Sequence, residues 1–194
     1  MPPQETRKVI ETLCGPYIGA MHGFDNAVFK YQMFRGIRNF QWRQEGDHEE
    51  YRITTVNQQR VPRDTQTSIH TLFDDWFDRN TGYRFRSAAL FTIGDERSAY
   101  RYAESSGEVV NVIPAGEFHY CWSPKAKDLL PKWESNGSPH TPEMIDDFMN
   151  AMDYKVDQGL PQAIRSGGEI MIACKKVVLL NQCWVFEENP YIPK

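Results

Sequence analysis

The chain has four cysteines in 194 residues and no CxxC pair among them. Cys14, Cys121, Cys174 and Cys183 lie far apart, so neither zinc-ligand spacing nor a redox dithiol is written here. They read as reduced, mostly buried thiols of a cytoplasmic protein. The N-terminus has no signal-peptide pattern, and no apolar run approaches the length of a membrane span. His22, His48, His70, His119 and His140 are scattered without HxH or HExxH spacing, so no metal is expected. The phosphate loop GxxxxGK[ST], the dinucleotide fingerprint GxGxxG and the nucleophile elbow GxSxG are all missing. So is any basic block: 22 basic and 26 acidic residues are mixed along the chain, for a net charge of −4. That argues against tight, sequence-blind binding to a nucleic acid backbone. A local patch from Arg35, Arg38 and Arg43 remains open.

What is present is ordinary globular material, 40% apolar and 13% aromatic, enough to bury one core without disulfides. Residues 4–13 read as a helix with Val9, Ile10 and Leu13 on one face, and 14–27 as a glycine-punctuated loop. Residues 28–37 read as a first strand and "YRITTV" as a short one. Ile69, Leu72, Phe73, Trp76 and Phe77 recur at helical spacing, with Gly82 as the stop. "YRFRSAALFTI" reads as a strand, and Asp95 caps a helix after it. "VVNVIP" and "FHYCWS" read as two strands about a turn at Pro114-Ala115-Gly116. Thr141 and Pro142 open a helix that buries Ile145, Phe148, Met149 and Met152. A helix over 157–165 precedes "EIMIA", "KVVLL" and "CWVFEE", read as further strands. Irregular alternation with strands clustered late predicts an α+β fold with a mixed, largely antiparallel sheet and flanking helices. One domain is expected over 1–194, with a helix and loop in 1–27 and the core in 28–187.

Four places could carry chemistry. Cys121 and His119, two apart on a strand, share a face, yet a buried thiol beside a half-exposed histidine is the better reading. In "FRGI", Arg35 ends an apolar strand before Gly36 and could present its donor fork to a diphosphate or carboxylate. Taken alone, it is a surface arginine before a turn. Ser87 sits in an apolar stretch, where a buried hydroxyl needs a partner; taken alone, it bonds neighbouring backbone. In "SGGEIMI", Gly167-Gly168 turns the chain and Glu169 stands at the mouth of a buried strand. Taken alone, it is a rim acid paired with Lys175 or Lys176. His70 reads as a satisfied structural histidine.

Arginine on an early strand, serine on a middle one and glutamate heading a late one resembles the R-S-E class of ADP-ribosyltransferases, of phage and bacterial type. "MFRGI", "FRSAALFTIGDERSAYRYA", "VIPAGEFHYCWSPKAKDL" and "SGGEIMI" carry the resemblance, which spans roughly residues 28–180. It implies the split β-sandwich of that class and NAD as substrate, without a metal. It also implies transfer of ADP-ribose to a macromolecular acceptor, protein or nucleic acid. Glu169 would stabilise the ribose, Ser87 would bond Glu169 or the ribose, and Arg35, beside Gly36, would grip the phosphates or the adenine-side ribose. Phe91, Tyr120 or Trp122 would stack on nicotinamide. Ala89 stands where the second serine of the class is usual, with Thr92 as its substitute. Gly167 replaces a residue that helps handle the acceptor in other members, which leaves the acceptor open. NAD hydrolysis and an inactive, protein-binding relative are the rival readings. On this view Glu169→Gln abolishes transfer and leaves thermal stability nearly unchanged.

Overall fold

A computed structural model describes residues 2–40, 42, 50–62, 65–105, 107–135 and 141–181. The helices are α1 (Gln4–Leu13), α2 (Gly15–Ala20), α3 (Thr67–Thr81), α4 (Phe85–Ala88), α5 (Glu96–Ala103), α6 (Leu129–Glu134), α7 (Pro142–Ala151) and α8 (Leu160–Ser166). The strands are β1 (Phe34–Ile37), β2 (Tyr51–Thr55), β3 (Leu90–Ile93), β4 (Glu108–Trp122), β5 (Lys155–Val156) and β6 (Glu169–Asn181). The sheet is antiparallel in every described pairing, and helices flank it. The α+β expectation therefore holds. No described helix is long and apolar enough to cross a membrane.

Two long strands organise the molecule. β4 and β6 pair along most of their length, with a register shift between Ala115 and Phe118. At this bulge Gly116 takes φ +75°, a conformation that favours glycine. The expected turn at 114–116 is thus a bulge inside one strand, and "EIMIA" and "KVVLL" are likewise one strand. The later half of β6 pairs with β2 and its first half with β3. The early half of β4 pairs with β1, and β1 meets β3 only at Phe34↔Ile93. The links β4–β6–β3–β1–β4 close a circuit, with its weakest seam at that single pair.

Period-two alternation divides β6 between two cores. Ile170, Ile172 and Cys174 face a core shared with Ile10, Tyr17, Val28 and Ile164 from the N-terminal elements and α8. Met171 and Cys121 face a second core with Phe73, Phe77, Phe85, Trp133 and Phe148. "CWVFEE" and residues 136–140 lie outside the described residues.

The N-terminal reading needs correction. Residues 14–27 contain α2, opened by Pro16 in its first turn, and residues Asn26–Lys30 form a π-helical turn rather than strand. Tyr31 N–H donates to the Asn26 carbonyl at 2.9 Å, five residues back, so β1 begins only at Phe34. The other helix signals hold: Gly82 caps α3 at φ +77°, and Asp95 and Thr141 accept from Ser98 N–H and Met144 N–H.

Candidate functional site

The seam between β1 and β3 opens into a cleft of ≈ 530 Å³, within the usual range for a small-molecule site. Arg35, Gly36, Phe91, Thr92 and Glu169 all line it, and so do Arg38, Arg60, His70, Arg86, Tyr102 and Asp128. After Phe34↔Ile93 the two strands part. Arg35 fills the gap: its Nη1 donates to the Phe91 carbonyl at 2.7 Å. A backbone acceptor next to the single-pair seam thereby finds a partner.

Gly36 is fixed by packing. A Cβ there would lie 2.2 Å from Ala99 O and 2.4 Å from Ala103 N, both backbone atoms of α5. Only glycine lets α5 seat against β1, where Ala99 and Ala103 meet Phe34 and Val109. α5 in turn brings Tyr102 to the cleft rim, where its hydroxyl donates to Asp128 Oδ2 at 2.7 Å.

Glu169 is held from three sides. Gly167, in the left-handed conformation at φ +67°, ends α8 and turns the chain. The Glu169 N–H then donates to the Lys127 carbonyl at 2.7 Å, and the residue pairs with Ile93 across the sheet. Its side-chain partner is neither Lys175 nor Lys176, both of which are exposed further along β6. Arg86 Nη1 lies 3.4 Å from Glu169 Oε1. Burial raises the Glu169 carboxyl from 4.5 to about 7; Asp128 adds to the rise, while Arg86 and Arg60 oppose it. Burial and the Arg60 charge lower Arg35 to about 10, which leaves it a cation at neutral pH.

Ser87 is not on a strand. Asp74 of α3 accepts from Arg86 N–H at 2.9 Å, from Ser87 N–H at 3.2 Å and from Ser87 Oγ at 2.5 Å. This winds Phe85–Ala88 into a helical turn. The serine hydroxyl is spent on Asp74, and Ser87 does not line the cleft. Tyr120 and Trp122 lie elsewhere too. They sit beyond the β4 bulge, where Tyr120 is 7% exposed and accepts from Leu160 N–H, and Trp122 Nε1 donates to the Gln158 carbonyl. Of the three aromatics named from sequence, Phe91 alone lines the cleft. Thr92 lines it as well, with its hydroxyl donated to the Ile170 carbonyl.

Several site residues escaped the sequence reading. Phe91 is flanked by two guanidinium groups, with Arg60 Cζ 4.0 Å and Arg86 Cζ 4.8 Å from its ring centre. Arg86 is 6% exposed, and its Nε has no partner among the described residues. His70 is buried as expected, but neither ring nitrogen has a partner among the described residues. Burial and the Arg86 charge lower its pKa, which favours the neutral ring. The one sequence signal for Arg86 is a charge set inside the apolar run "FRSAALF". Cys121 offers no thiol chemistry: it is fully buried and its pKa is raised well above 9.0, while His119 bonds Asp157 at 2.6 Å.

Comparisons with protein-family models, with curated proteins and with solved structures find no match to this chain.

Proposed function

We propose that this chain is a mono-ADP-ribosyltransferase that binds NAD in the β1–β3 cleft and transfers ADP-ribose to a macromolecular acceptor. The observation that carries the reading is the meeting of Arg35, Phe91 and Glu169 at one cavity, from strands far apart in sequence. The residues fit the dinucleotide: guanidinium groups for a diphosphate and a carboxylate for a ribose. The circuit of pairings β4–β6–β3–β1–β4 supports the split β-sandwich that the resemblance implies.

NAD supplies a glycosidic bond whose nicotinamide leaves readily, building positive charge on the ribose as in glycoside cleavage. Glu169 meets that charge as an anion once the pH exceeds its raised value of about 7. Its contribution counts because the interaction strengthens as charge develops. Arg35, anchored on the Phe91 carbonyl, orients the phosphates. Phe91 braces the Arg60 and Arg86 guanidinium groups at the cleft wall, and Gly36 lets α5 seat against β1 at the rim. Ser87 acts at a distance here, because its hydroxyl belongs to Asp74.

Incubation with labelled NAD and cell extract tests the proposal. Label on a macromolecule, lost in Glu169→Gln, supports transfer. Free labelled ADP-ribose alone would shift the reading to NAD hydrolysis, and no turnover would shift it to an inactive, protein-binding relative.

A further inference from the structure

We infer that Arg86 is a positioning residue for Glu169, holding its carboxylate toward the cleft and setting when it ionises; this rests on Glu169 being the working acid. The geometry forms a chain of contacts. Asp74, itself 4% exposed, grips the 86–87 backbone by two N–H groups and one hydroxyl. That grip fixes where the Arg86 side chain starts. The guanidinium then lies against Phe91 at 4.8 Å and ends 3.4 Å from Glu169 Oε1. At 6% exposed it has little freedom to swing into water. A buried cation whose described ion-pair partner is one carboxylate orients that carboxylate and favours its charged form.

The other groups around Glu169 do not replace it. Arg60 is the second cation that favours ionisation, and Asp128 opposes it. Tyr102, Tyr154 and Cys121 also couple to Glu169, but each has a raised pKa and stays neutral near pH 7. Ser87 and Asp74 thus take up, one step removed, the supporting task that the sequence assigned to a serine in direct contact. In this chain an arginine reaches the acid and the serine steadies the arginine.

The test is an NMR titration of Glu169 with carboxyl-13C glutamate, assigned by its loss in Glu169→Gln. Wild type, Arg86→Met and Arg86→Gln are compared, with amide dispersion as the check on folding. The Glu169 midpoint is expected to rise by about one pH unit or more in either neutral variant that folds. In the wild-type protein the Arg86 guanidinium 15N signals are expected to follow the Glu169 midpoint, which needs no variant at all. Arg86 signals that stay flat while Glu169 titrates, or a midpoint unmoved in a folded variant, would overturn the assignment. No turnover of NAD enters this measurement. Coupled titrations with inactive protein would sink the transferase reading alone, and uncoupled titrations with active protein would sink the Arg86 assignment alone.

Discussion

Replacing Glu169 by glutamine should make the protein more stable at neutral pH while removing its activity. The carboxyl has an ordinary value of 4.5 and is raised to about 7 in the folded protein. Between these values the native state keeps a proton that the unfolded chain releases, so native stability falls as pH rises through the window. Above pH 7 the folded protein carries the full cost of an ionised buried acid. The gap from 4.5 to about 7 is about 2.5 pH units, or roughly 3 kcal/mol at about 1.36 kcal/mol each. The side chain keeps 18% exposure to solvent, which trims the figure to about 2 kcal/mol. Glutamine has no proton to lose, so the variant should melt about 4–8 °C above wild type at pH 8. The difference should shrink toward zero near pH 4. Melting curves by circular dichroism at pH 4, 6 and 8 read this directly. Equal melting points at pH 8, or a gap independent of pH, would falsify the account of Glu169 as a strained acid. The sequence alone gave a different expectation, nearly unchanged stability, because the burial of the carboxylate is a property of the folded cleft.

Arg35→Ala should weaken NAD binding by about tenfold to a hundredfold, the loss of one charge-assisted contact; calorimetry showing unchanged affinity removes Arg35 from the site. Gly36→Ala should destabilise the fold by several kcal/mol, since the new Cβ meets the Ala99 carbonyl at 2.2 Å with no flexible side chain to yield. A variant that melts like wild type would show that α5 is not seated on β1 as described.

Helices with caps and one apolar face were readable from sequence: α1, α3, α5 and α7 begin and end close to their signals. Their information is local. Glu169 was readable for the same reason, as two glycines and a charge before an apolar run. Arg86 was not, because its place depends on Asp74, twelve residues earlier on another helix, which converts an apparent strand into a helical turn. Tyr120 and Trp122 misled because Pro114-Ala115-Gly116 looks like a chain reversal. In the fold it is a bulge, and the aromatics continue along the same strand into other packing. The stretch 28–33 failed similarly. Alternating Phe29, Tyr31 and Met33 mimics a strand, while residues up to Lys30 belong to the π-turn and β1 begins only at Phe34.

Strand β6 touches three other strands, and it comes last among those described. β2 and β3 have no described partner on that side until it arrives, and β4 lacks its longest ladder. During synthesis these edges must therefore wait, exposed, until the ribosome has released the segment from Glu169 onward. Long-separation pairing of this kind slows folding and leaves open strands available to other chains. Products cut short before Glu169 would be candidates for aggregation rather than for partial activity.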